Sequence, residues 1–384
     1  MIRALFAMAA ALVGYTYVGF PMLLLVRSWV RPRDHRSEPI TPRVTLIIAA
    51  RNEERVIAGR VANALSLDYP ADALEVIVAS DGSEDATVQL VRGFDDRRVR
   101  VLDLPRVGKA DALAAAAEAA TGQILVFSDA NSHYAPDALR KLVAPFADPS
   151  VGGVAGDQRY LPADAGGEAT VAAGERGYWD LDRALKLAES RAGNVISATG
   201  AIYAVRRSLF RPPPPGVTDD FAISTAVIAQ GQRLVFAPDA IAYEPVARSS
   251  DAEFARKVRV MTRGLNGVVL RRELLDPRRH GFYAIQLFSH KVLRRLMAVP
   301  LGVLAATSLA LGARSRLFRA LAVGQVAMYG LGALGIALGR RRTSKLLALP
   351  AYFVMVNVAS LKAAWNVARG RSIERWEPRR EEAA

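Results

Sequence analysis

The chain has 384 residues, 51% of them hydrophobic, and a mean hydropathy of +0.14, a heavier apolar load than soluble domains of this length carry. A net charge of +14 suits nucleic acid, an anionic membrane surface or an anionic substrate, but the basic residues lack the interleaved aromatics of a stacking surface, which disfavours nucleic acid. Zero cysteines exclude disulfides and thiolate metal sites.

The first element is the apolar run Leu5–Val26, about the ~20 residues that cross a bilayer core. A cleaved leader is disfavoured. The run is too long, and Arg27, Arg31, Arg33 and Arg36 stand where a small-residue cleavage site would be. It reads as an uncleaved anchor. Those arginines, against only Arg3 before the run, place the following domain in the cytoplasm by the positive-inside rule. Residues 1–38 are thus expected to be an N-terminal anchor and basic linker.

From residue 39 the pattern alternates strands and helices. "VTLIIAA" (Val44–Ala50) is a buried-strand run, with a helix after it through Leu65; "LEVIVAS" (Leu74–Ser80) is a second strand, and Ser83 or Asp85 could cap the next helix. "VRVLDL" (Val99–Leu104), the alanine-rich helix Ala110–Ala120 and the strand Gln123–Asp129 complete a β-α-β-α-β-α-β order, which predicts a mostly parallel sheet covered by helices. Beyond it come a strand at "VGGVAGDQRYL", a helix over Glu168–Glu189 and a strand over "VISATGAIYAVR". The stiff Pro212–Pro215 run then precedes a helix capped by Thr218 or Asp219 and running to Gln230. A strand, "RLVFAPDAIAYE", and an Arg-rich amphipathic helix, Asp251–Leu270, close a domain expected to end near residue 279. The last helix is placed along the membrane surface.

Residues 280–384 carry three more apolar stretches, Leu296–Ala313, Leu317–Leu338 and Leu346–Ala368, the last interrupted by Asn357, Lys362 and Asn366. Much of the positive charge flanks the spans, at Arg27–Arg36, Arg256–Arg279, Arg340–Lys345 and Arg369–Arg380, which suits an anionic lipid surface. Three crossings behind a cytoplasmic domain would leave the basic tail outside, against the charge rule, unless the last stretch is re-entrant or interfacial.

Polar residues collect where the strands end. Arg51-Asn52-Glu53-Glu54 follow the first, Asp81-Gly82-Ser83 the second, Gly108-Lys109 open the third helix, and Asp129-Ala130-Asn131 follow the fourth strand. In such sheets ligands sit beyond the carboxyl ends of the strands. Neither a G-x-G-x-x-G nor a G-x-x-x-x-G-K-S/T pattern occurs, which disfavours a dinucleotide fold or a P-loop. Acids, one lysine and an amide suit a nucleotide whose diphosphate is neutralised by a divalent ion and a lysine.

Four stretches in order, "IIAARNEERVI", "IVASDGSEDAT", "GKADALAAAAEAATGQILVFSDAN" and "VTDDFAIS", resemble the family 2 glycosyltransferases, nearest the membrane-bound bacterial enzymes grouped with cellulose, chitin and hyaluronan synthases. The likeness runs from about Val44 to Asn266 and more loosely over the spans behind it. It implies a GT-A fold, Rossmann-like with a mostly parallel sheet, in a cytoplasmic domain with one N-terminal and about three C-terminal transmembrane helices. It implies that Glu53 and Asp81 hold the base and ribose of a UDP-sugar, with Lys109 near the nucleotide. Asp129 and Asn131 stand at the family's D-x-D positions, which bind the ribose and a Mg²⁺ or Mn²⁺ on the diphosphate. Asp220 stands where the T-E-D segment carries the catalytic base, and Arg256 and Arg259 match the charged positions of a Q/R-x-x-R-W segment, toward acceptor or diphosphate. Two positions depart. Asn131 replaces an acid, and Val260 replaces the tryptophan that helps form an acceptor site at the mouth of a polymer channel.

The implied activity is inverting transfer of a sugar from a nucleotide donor to a membrane-associated polysaccharide or lipid. The implied place is the bacterial inner membrane, with self-association or an export partner where a channel needs more helices than one chain supplies. The alternatives are single-sugar transfer to a polyprenyl phosphate or other lipid, and a non-catalytic nucleotide-sugar-binding partner of an export system; the second acid of "TDD" argues against the latter. Plainer roles stand beside several residues. Glu54 is the equal of Glu53 from sequence, Asp219 and Asp220 are both first-turn acids, and Arg256 and Arg259 could be a lipid-facing stripe. His133 and His290 have no metal-ligand spacing, and Tyr178 and Trp179 suit helix packing better than sugar stacking.

Overall fold

The computed structural model describes residues 1–160, 171–245, 250–338 and 345–371. Residues 340–344 of the basic connector, the tail from 372, and the Tyr178 and Trp179 side chains lie outside the described residues. Contacts divide the chain into two compact units, a sheet unit (Ser28–Ala165 with Lys186–Val246) and a helical unit (Met1–Arg27, Gly166–Leu185 and Ala247–Ile373).

The sheet unit is built on β1 (Val44–Ala50), β2 (Leu74–Asp81), β3 (Val99–Leu104), β4 (Ile124–Asp129), β5 (His133–Tyr134), β6 (Val151–Tyr160), β7 (Tyr203–Arg206) and β8 (Arg233–Glu244), in the order β3-β2-β1-β4-β7-β6-β8-β5. All seven residues of β1 are buried, the burial expected of a near-continuous apolar run covered on both faces. β3, β2, β1 and β4 run parallel, whereas β7 is antiparallel to both β4 and β6. The chain moves outward from β1 through β2 to β3, then returns to pair β4 on the other side of β1. This reversal makes a topological switch point, where a crevice opens beyond the carboxyl ends.

The core gathers Leu46, Ile48, Val76, Val78 and Val126 of the central strands with Ile57 and Val61 of the helix Ile57–Leu65. Fully burying each such side chain contributes about 1.5–3 kcal/mol. The expected strand over Val195–Arg206 is corrected: only Tyr203–Arg206 is strand, and residues 193–202 form a loop. Glycine explains part of this. At Gly200 the chain passes so close to Asp129 that a Cβ would sit 2.8 Å from its Oδ2.

Ile2–Val30, which belongs to the helical unit through Arg27, forms one long apolar helix with a π turn at Tyr15–Gly19. Arg316–Leu338 and Leu346–Ala368 are also long and apolar enough to cross a membrane. The apolar stretch expected to span over Leu296–Ala313 is helical over Ala298–Gly312 and pairs with Phe282–Leu296 across a 53° bend, and the two together are apolar enough for a broken span or a re-entrant loop. Fifteen helical residues reach about 22 Å at 1.5 Å each, short of a ~30 Å hydrocarbon core. Gly332 and Gly335 let the last two helices approach closely, since a Cβ at either would strike Val354 and Pro350 or Ala351 and Leu347. The basic helix Ser250–Leu270 buries Val258 and Met261 against Ala359 and Ala363 of Lys345–Ala368.

Candidate active site

The first two loops of the crevice are clasped together. Asn52 takes a positive φ of 52°, which turns its Oδ1 to accept from the Glu84 amide at 2.9 Å. The Glu54 amide donates to Asp85, and Glu54 Oε2 accepts from the Ala86 amide at the start of the helix Thr87–Arg92. Glu54 therefore works as a tie between loops. Glu53 points inward and is 5% exposed, with its amide donating to Thr87 Oγ1 at 2.7 Å.

Asp81, at the tip of β2 and fully buried, accepts at Oδ1 from the amides of Val107 and Gly108, at 2.8 and 2.7 Å. Those bonds fix the turn before the helix Lys109–Ala119, where Gly108 takes a φ of +98° that a side chain would strain. Lys109 is thereby aimed across the crevice. Its Nζ lies 2.8 Å from Asp129 Oδ1 at the end of β4 and 3.0 Å from Asp219 Oδ2, the first residue of the helix Asp219–Ala229. Burial pulls the Lys109 pKa down, but the two carboxylates more than offset this and hold it above its ordinary value.

Asp220 is half-buried on the same first turn, with Oδ1 accepting from the Phe221 amide at 2.7 Å. Thr218 occupies the cap position without a side-chain cap bond. Burial first, then the charges of Asp219, Asp220 and Asp129, hold the Tyr203 pKa well above its ordinary value. Asn131 is exposed just beyond β4.

The structure therefore brings together Lys109, Asp129 and the pair Asp219–Asp220, with Asp81 holding the turn that positions Lys109. Arg256 and Arg259 belong to the helical unit. Arg256 is exposed, and burial together with the charges of Arg263 and Arg256 lowers the Arg259 pKa. Sequence reasoning did not assign Asp219 its bridge to Lys109. The doubled acid of "TDD" was the available signal, but spacing alone could not rank the two.

Among the described residues no three His, Asp or Glu side chains form a group that could hold a metal ion. One carboxylate, Asp129, and one amide, Asn131, fit a cation completed by phosphate and water oxygens and do not fit an all-protein cage.

The family model described as glycosyltransferase like family 2 matches residues 42–267. An N-acetylglucosaminyltransferase of Rhizobium meliloti (strain 1021) is 30% identical over 237 residues, covering 56% of this chain and 55% of that protein. A beta-monoglucosyldiacylglycerol synthase of Synechocystis sp. is 36% identical over 119 residues, 29% of this chain and 24% of that one. The chain spans about half the length of the first of these relatives and a quarter of the second. Among solved structures, mannosyltransferase PcManGT from Pyrobaculum calidifontis in complex with GDP-Man and Mn²⁺ superposes with a TM-score of 0.73. It is 26% identical and covers 96% of this chain and 100% of its own.

Proposed function

This chain belongs to glycosyltransferase-like family 2, and we propose that it moves a sugar, with inversion, from a nucleoside-diphosphate donor to a membrane-associated glycan or lipid acceptor. The observation that carries this reading is the convergence of Lys109, Asp129 and Asp219 beyond the strand ends at the switch point, with Asp220 beside them.

Glu53 and Asp81 bind the base and ribose, and Lys109 turns its ammonium to the diphosphate. Asp129 and Asn131 would hold a Mg²⁺ or Mn²⁺ ion shared with the diphosphate, whose chemistry is to neutralise the departing charge. The family resemblance favours a UDP-linked donor, while the PcManGT structure holds GDP-Man and Mn²⁺. Asp220 takes the proton from the acceptor hydroxyl, a role worth about 10²–10⁴-fold. One base opposite the leaving group gives inversion, by the logic of inverting glycosidases. Arg256 and Arg259 present charge to an anionic acceptor or phosphate. The apolar helices anchor the chain in a bacterial inner membrane, with residues 39–279 on the cytoplasmic side as the transferase domain and 280–384 as the membrane region.

Membranes holding the protein, incubated with radiolabelled UDP-sugars and GDP-mannose with and without EDTA, test this directly. Label is expected in a lipid extract or an insoluble glycan, lost with EDTA and restored by Mn²⁺ or Mg²⁺. No transfer from any donor would refute the reading. The partition separates a lipid product from a polymer, and NMR of the linkage reports inversion.

A further inference from the structure

One buried charge beside the site takes no part in that scheme. Arg60 lies on the helix Ile57–Leu65 among the buried residues Ile57, Val61 and Ala64, and is itself 2% exposed. Among the described residues no carboxylate pairs with it; its hydrogen-bond partners are a hydroxyl and an amide. A guanidinium buried without an acid is costly, and an apolar side chain would fill the same helix face. A charge kept at that cost points to work beyond core packing.

What Arg60 holds is the loop 129–133, which carries Asp129 and Asn131. Its Nε and Nη2 donate to Ser128 Oγ at 3.4 and 3.2 Å, and Ser128 Oγ donates onward to the Asp129 carbonyl at 3.1 Å. The same carbonyl accepts from the Ser132 amide at 3.3 Å, closing the turn on which Asn131 stands. At the other end of the loop, the guanidinium carbon lies 4.4 Å from the centroid of the Tyr134 ring. Nη1 donates to Asn63 Oδ1 at 3.0 Å. Asn63 in turn accepts from the Tyr134 amide at 2.8 Å and donates to the Tyr134 carbonyl at 3.0 Å. One planar cation thus ties the residue before Asp129 to the residue after His133. The point charge of a lysine lacks that fork.

We propose that Arg60 is a positioning residue for the divalent cation of the transfer reaction: it fixes both ends of the loop 129–133, and with them the presentation of Asp129 and Asn131 to a metal-bound diphosphate. Such an ion tolerates little misplacement of its ligands, and Asn131 offers an uncharged oxygen whose contribution depends on its aim. Groups that orient metal ligands from behind are worth about 10- to 100-fold in metal affinity. This rests on the nucleotide-sugar reading of the site.

The test is Arg60→Met in the purified full chain, with Mn²⁺ titrated by EPR in the presence of UDP or GDP, whichever the wild type binds in calorimetry. Methionine fills the helix face, and Ser128 and Asn63 keep their other partners, so the ligand-free thermal midpoint should hold. The apparent Mn²⁺ Kd should rise about 10- to 100-fold, while nucleotide binding in EDTA stays unchanged. Ser128→Ala cuts the same bridge from the strand side; it should raise the Mn²⁺ Kd as well, and it carries the test if Arg60→Met does not fold. Wild-type Mn²⁺ affinity in these variants would overturn the proposal. So would midpoint and Mn²⁺ affinity falling together, which marks a packing role, or nucleotide binding in EDTA weakened by the same factor, which marks an effect on the nucleotide. A wild type that binds neither nucleotide with Mn²⁺ defeats the functional reading and this inference with it; a wild type that binds both, with an indifferent Arg60→Met, defeats the inference alone.

Discussion

At the scale of single residues, the site depends on a lysine shared by two acids. Lys109 is the cation bridging Asp129 and Asp219, and its side chain is 12% exposed, so removing it leaves two carboxylates facing each other in a poorly solvated crevice. Lys109→Met should lower stability by less than the roughly 3–5 kcal/mol of breaking a fully buried pair, because the Asp129 side chain is 34% exposed, and abolish transfer; thermal melts and the radiolabel assay check both. The neighbouring acids should separate by role. Asp220→Asn should retain nucleotide-diphosphate binding in calorimetry while transfer falls about 10²–10⁴-fold. Asp219→Asn should weaken the hold on Lys109 and lower the thermal midpoint, since an amide keeps an acceptor but loses the charge. Equal losses of transfer with unchanged stability in both variants would contradict this division.

At the scale of elements, loops are held by carboxylates at specific turns. Asp148, just before β6, accepts from the Ser150 hydroxyl and amide and from the Arg36 amide of the linker. Those bonds depress its pKa to about 2, with Ser150 the first cause. A depressed folded pKa stabilises above the unfolded value, ordinarily near 3.9 for Asp, and that contribution is lost as pH falls toward 2. Asp148→Asn should therefore lower the thermal midpoint at pH 7, with the difference closing across this acid window. In the helical unit, Gly332→Leu should force apart the helices Arg316–Leu338 and Lys345–Ala368, because its Cβ would meet the Pro350 backbone at 2.8 Å. Reduced thermal stability in detergent would report it. The bend between Phe282–Leu296 and Ala298–Gly312 falls at Met297, after the paired charges Arg294 and Arg295, so the apolar stretch read from Leu296 begins at the bend.

At the scale of the whole molecule, the sequence by itself determined the class of architecture: a sheet of four parallel strands ending in polar residues, followed by a membrane-type helical region. Apolar run length and period are local properties: β1, β2 and β4 were legible as near-continuous apolar runs that end in polar residues, and β3, β6 and β8 as strand segments despite the polar residues inside them. Glu53, Asp81, Lys109, Asp129 and Asp220 were legible as strand-end or helix-start residues. Tertiary structure alone decided which of them meet. Lys109 reaches Asp219 across 110 positions of chain, and a Cβ at Gly200 would press to 2.8 Å on Asp129 Oδ2. The sequence likewise read "VISATGAIYAVR" as one strand, whereas the fold spends its first eight residues on a loop beside Asp129 and keeps only Tyr203–Arg206 to pair with β4 and β6. Local propensity cannot distinguish the two, because pairing partners and close approaches belong to distant parts of the chain.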